Sequence, residues 1–402
     1  MFKKVTDKFR SKTQENIPAD QDRFKWRIKR NRQLKTIRFV SILLLAAFVG
    51  IICYISYVNR EYTDYEILTD NDRRDAEDAM YEPYDGNVIK YSRDGAEAFD
   101  SDNNAIWNIT FEMQNPKIAT CKGYAAIGDF KGTRIYAIDS RGEVGQIETK
   151  LPVSSFCISS QGVVAAVLED EDITKINLYS SAGELLAQMK CTMAKSGYPA
   201  DISLSPDGMK LCVSYVRVDA GSLKSSVAFY NFDEVGQNEI DNYVSGYDYP
   251  DVIIPKVKFI NNDTAFAVGD GRLVFYKGSQ KPVSIKDVFL TDRVHSVYYG
   301  EKNVVLTYRD TSDEGGTGRI DIYDDKGEVI LTEQTPVEYT DIAVKNDGII
   351  IYNDKSCEMY DYHGRNKFKG DFKEAMRLVV PSKSSIRWTL VNRGTVQGVR
   401  LN

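Results

Sequence analysis

Three stretches of this chain can be laid over one another residue by residue: IYAIDSRGE at 135 to 143, INLYSSAGE at 176 to 184 and IDIYDDKGE at 320 to 328. Each is an alternating apolar strand that runs into a polar turn ending in Gly-Glu. The alternation is that of a strand with one face buried, and the glycine supplies the positive φ that a tight hairpin turn requires. Looser copies follow the same plan, among them AEAFDSDNN at 96 to 104, VAFYNFDE at 227 to 234, LVFYKGSQ at 273 to 280 and MYDYHGRN at 359 to 366.

Anchored on the last strong apolar residue of each copy, the unit recurs at Phe99, Ile138, Tyr179, Tyr230, Tyr276, Tyr323, Tyr362 and Val399, with steps of 39, 41, 51, 46, 47, 39 and 37 residues. A period of this length, with room for four short strands, is that of a β-propeller blade. Two further strand-like runs precede each anchor, as in IATC and YAAIGDF before Ile138 or KVKFI and TAFAV before Tyr276. The expected fold is therefore all-β: a propeller of eight blades over residues 80 to 402, or of seven if the two terminal units merge. The first unit has a poorly marked inner strand, for which AMYEPYD near 79 to 85 is the only candidate, and the last lacks an outer one.

Ahead of the repeats lies FVSILLLAAFVGIICYISYV, Phe39 to Val58, twenty residues without a charge. At about 1.5 Å per residue a helix of this length spans roughly 30 Å, the thickness of a bilayer's hydrocarbon core. Eight Lys and Arg and no acid occupy 23 to 38, whereas the far flank is acidic. This asymmetry predicts an uncleaved signal anchor in the cell membrane, with the N-terminus in the cytoplasm and the C-terminal domain outside. A cleaved signal fits less well, because the apolar run is long and no small-x-small site follows it. The predicted organisation is a basic cytoplasmic arm at 1 to 38, the transmembrane helix at 39 to 58, an acidic stalk at 59 to 79 and the propeller at 80 to 402.

Charge follows the same division. Residues 1 to 38 carry thirteen basic against four acidic side chains, a balance of +9, which leaves −15 for the rest of a chain whose formal charge is −6. The arm from Arg23 to Arg38 is expected to meet anionic lipid. Basic residues beside a membrane helix and an acidic outer domain give no support to nucleic-acid binding.

The residue inventory narrows the chemistry. Six cysteines lie mostly in apolar strand-like runs, no CxxC occurs, and His295 and His363 are the only histidines. A metal site, a cofactor site and a histidine-based triad are therefore not expected. Asp100, Asp102 and Asn104 alternate like calcium-loop oxygens but lack the glycine and distal glutamate of that loop, so a hairpin turn is the better reading. EGGTG at 314 to 318 has no following Lys-Ser or Lys-Thr and reads as a loop, and EDED at 169 to 172 as a solvated connection.

One segment stands out for binding. DNYVSGYDYPDV at 241 to 252 places Tyr243, Tyr247 and Tyr249 among glycine and proline that interrupt the strand pattern, which predicts an exposed loop of a residue type common at interfaces. The leading expectation is a non-enzymatic, membrane-tethered propeller that binds a protein, a peptide or a cell-wall glycan. The alternative is a surface hydrolase or lyase using carboxylates at the propeller axis, since a ring brings distant blades together around its centre.

Two resemblances accompany these readings. ADISLSPDGMKLCVSY at 200 to 215 contains a Ser-Pro-Asp-Gly turn that resembles those of WD40-like propellers. Pro206 presets φ, Asp207 bonds the local backbone and Gly208 takes the unusual dihedral. The RDG turn at 93 to 95, FEMQNP at 111 to 116 and TMAKSGYP at 192 to 199, together with the basic arm and anchor, resemble a family of uncharacterised single-pass membrane proteins of Gram-positive bacteria. That resemblance implies the fold and address given above and brings no catalytic residue with it.

Overall fold

The computed structural model describes residues 20 to 73, 78 to 169, 174 to 192, 196 to 219, 221 to 309, 318 to 335, 339 to 382 and 386 to 402. Most of EDED and EGGTG, and part of TMAKSGYP, lie outside these residues. The chain divides into two compact units, Met1–Arg60 and Glu61–Asn402. In the first, helix α1 (Asp20–Val58) is continuous, so the basic run and the apolar run share one helix. Its apolar residues are bare, with Leu44 at 64% and Phe48 at 60% of full exposure. By length and composition α1 can cross a membrane.

The second unit is an eight-bladed propeller. Among the described residues its thirty-two strands, β1 to β32 in chain order, form eight four-stranded antiparallel sheets. Blade one is β2 to β5 (80 to 110), blade two β6 to β9 (116 to 148), blade three β10 to β13 (153 to 191) and blade four β14 to β17 (198 to 250). Blades five, six and seven are β18 to β21 (256 to 289), β22 to β25 (294 to 335) and β26 to β29 (341 to 371). Within each, the chain moves strand by strand from the axis outward.

Apolar burial explains why the sheets form a ring. The second strand of a blade is sandwiched between neighbours on both faces, so it reads as an unbroken apolar run: VAAVL of Val164–Leu168 is buried at every position. Eight apolar clusters result, one at each junction of successive blades. The last joins blade eight to blade one through Leu378, Val380, Val391 and Val396 against Val88 and Phe99. A full turn of such junctions closes the circle, each buried Val, Leu or Phe contributing about 1.5–3 kcal/mol.

Blade eight corrects the domain boundaries. Its inner three strands are β30 to β32 (376 to 401), and its outer strand is β1 (Tyr65–Asp72), from the stretch whose acidity predicts a stalk. β1 pairs antiparallel with β32 (Thr395–Leu401), from Tyr65 opposite Leu401 to Asp72 opposite Thr395. An outermost strand buries only one face, and here the inward positions 69 and 71 are polar, which hides the alternation. Thr69 donates to the Ser101 carbonyl at 3.1 Å and Asn71 to that of Asp102 at 3.1 Å, so both polar groups are spent on blade one.

The Gly-Glu turns also find their reason. Gly183 (φ +88°) lies against the outer strand β9 (Gly142–Glu148) of the preceding blade, and a Cβ there would come within 2.6 Å of the Gln146 carbonyl oxygen. Glu328 of the equivalent turn in blade six receives Lys286 of blade five at 2.8 Å. The turns therefore key each blade to the one before it. At Asp100 the carboxylate accepts the backbone N–H groups of Asp102 (2.9 Å) and Asn104 (2.8 Å), the hydrogen bonding of a hairpin turn.

Candidate functional site

The tyrosine segment is not a loop. Tyr243, Tyr247 and Tyr249 lie in β17 (Tyr243–Pro250), the outer edge of blade four, which pairs with Ser222–Asn231. Glycine at 246 and proline at 250 suggest a break, but an outer strand tolerates both because its far edge needs no partner. Tyr249 is buried at 6% exposure, its hydroxyl 2.5 Å from that of Tyr276. Tyr247 joins blades, donating to the Pro282 carbonyl at 3.3 Å and accepting the Ser284 N–H at 3.1 Å. Tyr243 alone of the three is substantially exposed, at 46%, with its ring edge-on to Tyr230.

The other concentration of chemistry is at the axis. Inner strands β2 (Met80–Tyr84), β18 (Lys256–Phe259), β22 (Val294–Tyr299) and β26 (Asp341–Val344) bring Glu82, Lys258, Tyr298, Tyr299 and Asp341 toward one another from blades one, five, six and seven. In β18 the alternation is plain: Val257 and Phe259 are buried, while Lys256 and Lys258 are only half-buried. The Lys258 ammonium stands 5.1 Å from the Tyr299 ring centroid. Burial opposes its charge, yet Tyr299, Cys157 and Cys121 outweigh that and raise its pKa. A side chain of blade five that meets groups of blades two, three and six must reach the middle of the ring.

Glu82 is a carboxyl strongly altered by this setting. Burial pushes its carboxyl up to about 7, Asp341 adding to the shift and Lys258 opposing it. Asp341 is itself held in place, accepting the Tyr352 hydroxyl at 3.1 Å and the Ile342 N–H at 2.9 Å. Among the described residues the Glu82 side chain has no hydrogen bond and no ion pair, and Lys258 has no carboxylate within 4.0 Å. At one end of the inner strands, turns of blades one, six, seven and eight wall a cavity of about 540 Å³, lined by Asp85, Glu301, Lys345 and Asp347 among others.

The sequence admits carboxylates at the axis without singling them out. Glu82 sits in AMYEPYD and Lys258 in KVKFI, and a charge at an alternate position of a short apolar inner strand is the signal that marks both. Among the described residues no cluster of three or more His, Cys, Asp or Glu is placed to hold a metal ion.

No curated protein matches the chain. Solved structures similar to it include a eukaryotic initiation factor, at 12% identity and a TM-score of 0.53, over 85% of this chain and 88% of that one. BamB from Moraxella catarrhalis is similar at 13% identity and a TM-score of 0.49, over 84% of this chain and all of that one. Kluyveromyces lactis Hsv2 follows at 10% identity and a TM-score of 0.46, over 73% and 97%. The initiation-factor likeness speaks for a shared fold alone. Residues 58 to 401 match a family defined across the whole propeller, and the chain belongs to that family of unknown function, DUF5711.

Proposed function

We propose that this chain is a membrane-tethered, extracytoplasmic propeller of a Gram-positive type of cell, and that it serves as a binding or scaffold module for a protein, peptide or cell-wall glycan. The observation that carries the binding role is the cavity of about 540 Å³ at the axial mouth, because its walls come from four blades and are held by the ring as a whole. The tether rests on α1, whose apolar segment is flanked by a basic N-terminal side and an acidic C-terminal side. Residues Arg23 to Arg38 then lie beside the anionic inner leaflet.

The test has two parts. Membrane fractionation of full-length protein, with protease added to intact cells, should leave the chain in the membrane at full mass and open the propeller to digestion. Full-length protein in detergent should capture a partner from membrane or cell-wall extract, and Asp347→Arg, at a side chain 59% exposed on the mouth, should lose it. Capture unaffected by this substitution would sink the mouth as the binding face.

A second reading, a surface hydrolase or lyase, is favoured by one observation: Glu82 and Asp341 act on each other at the axis, and the first titrates near neutrality. It requires turnover of a glycoside, peptide or ester by the purified chain that Glu82→Gln abolishes.

A further inference from the structure

The inner strand β2 has a cavity at either end. Asp85, just past its last residue, lines the axial mouth, whereas Asp78 and Met80, at its start, line a second cavity of about 480 Å³. The RDG turn of blade one and the FEMQNP connection to blade two meet at this second cavity, bringing Arg93, Pro116 and Lys117 into one wall with Phe130 of blade two.

That wall is held by its backbone. The Met113 N–H donates to the Arg93 carbonyl at 2.9 Å, and the Phe130 N–H to that of Asn115 at 2.9 Å. The Asp129 carboxylate accepts the N–H groups of Gln114 and Asn115 at 3.2 and 2.7 Å, which fixes the connection between the blades. The cavity is therefore preformed, and its volume is that of a small-molecule site.

Its charge is the reverse of the mouth's. Asp85, Glu301 and Asp347 line the mouth against Lys345, but Arg93 and Lys117 line the second cavity against Asp78. Among the described residues neither Arg93 nor Lys117 makes a side-chain hydrogen bond or an ion pair, although the chain beyond residue 38 carries a balance of −15. Two cations without partners thus share one fixed hollow with the apolar surface of Met80, Pro116 and Phe130.

We infer that this cavity binds a small organic anion, a carboxylate or phosphate monoester carried on an apolar body. Arg93 and Lys117 receive the charge, the first as a planar fork for two oxygens and the second as a point charge. Met80, Pro116 and Phe130 cover the body. A bare anion would use the cations and leave the apolar wall wet, and a neutral apolar molecule would leave both cations unanswered. The site goes beyond the partner-binding reading and does not depend on it.

The experiment is isothermal titration calorimetry on the full-length protein in detergent at pH 7.5. Benzoate and phenyl phosphate present the two anions on a ring, and acetate and inorganic phosphate present them alone. Benzyl alcohol and benzylamine give the ring without charge and with the opposite charge. At least one ring-bearing anion should bind ten-fold or more tightly than its bare counterpart, benzyl alcohol and benzylamine, and which one does so tells carboxylate from phosphate. Arg93→Gln and Lys117→Gln, both at exposed side chains, should each weaken that anion ten-fold or more. Asp347→Arg, at the mouth, should leave it unchanged, so this site and the partner-binding face fail separately. The inference is overturned if neither ring-bearing anion binds, if the bare anions or benzylamine bind as tightly, or if both cation variants keep the parent's affinity. The first two comparisons need no variant.

Discussion

Lys122 and Glu301 meet at 3.2 Å although they belong to blades two and six, which stand opposite each other in the ring. The pair crosses the mouth of the channel, directly beyond Cys121 and Tyr299 on their inner strands. Both side chains are 54% exposed, so the pair itself adds no more than about 1 kcal/mol to stability. Its consequence is access. Burial raises the Cys121 thiol's pKa and Glu301 raises it further, while Lys258 and Lys122 pull it down. Glu301→Gln removes an opposing charge and the crossing together. Iodoacetamide labelling of Cys121, followed by mass spectrometry at pH 7.5, is expected to rise several-fold in this variant, and an unchanged rate would show that the pair does not guard the thiol.

Glu82 makes stability depend on pH in a definite direction. In the unfolded chain it titrates near 4.5 and in the fold near 7, so between these values the native state holds more of the proton. Stability from this group is therefore greatest at low pH and is lost as pH rises from about 4.5 to about 7. The charges facing it are Asp341 and Lys258, with Tyr91 close by. Glu82→Gln is expected to be more stable than the parent at pH 8 by about 2–3 kcal/mol and to differ little at pH 5. Melting curves at the two pH values check this, and a difference equal at both would contradict it.

How much of this was legible in the sequence differs by level. The blades were, because the Gly-Glu hairpins carry two independent constraints, strand alternation and a glycine that must pack on the preceding blade, as Gly183 does against Gln146. The closure was not, because the inward positions Thr69 and Asn71 of β1 are polar for the sake of bonds to Ser101 and Asp102, and composition alone makes the strand look like a solvated linker. The axial group was not either. Glu82, Lys258 and Asp341 are far apart in sequence, and only ring closure turns the inner strands of blades one, five and seven toward a common axis. Tyr249 misleads in the opposite sense, since its glycine and proline neighbours suggest exposure where the strand turns its ring inward.

Two glycines should respond very differently to the same substitution. Gly183→Ala must hold φ +88° with a side chain and push its Cβ against the Gln146 carbonyl. Gly123, in the turn after β6 (Pro116–Cys121), has no positive φ, and a Cβ added there would have nothing within 4 Å of it. The first substitution should cost at least about 1–2 kcal/mol in denaturant unfolding. The second should stay within about 0.5 kcal/mol of the parent.

Among the tyrosines the outcome should invert the order that their sequence setting suggests. Tyr249→Ala opens a void beside Tyr276 and strands its hydroxyl, a loss of about 3–5 kcal/mol. Tyr243→Ala removes a half-exposed ring resting on Tyr230 and should cost about 1 kcal/mol or less. Only Tyr243→Ala is therefore a fair probe of partner binding at this edge, and loss of capture by Tyr249→Ala would report on folding.

The closing strand sets where the propeller begins. A chain started at residue 80 lacks β1 altogether, which uncovers β32 along its length and bares Val399 and Leu401, buried to 1% and 2% exposure. It also loses Tyr65, buried at 6%, whose hydroxyl accepts the Lys373 N–H at 3.2 Å, and Arg73, whose guanidinium pairs with Glu97 at 2.7 Å and covers the Phe99 ring. These contacts tie blades seven, eight and one together, so their removal acts on the ring and not on one edge alone. Started at Glu61, the chain keeps them all. Thermal melts of the two proteins should differ by roughly 10 °C or more, on the order of several kcal/mol for an unpaired edge strand and its exposed core. The shorter protein should also aggregate through the free edge of β32, visible by size-exclusion chromatography. Equal melting temperatures and a monomeric shorter chain would show that the ring closes without its first strand.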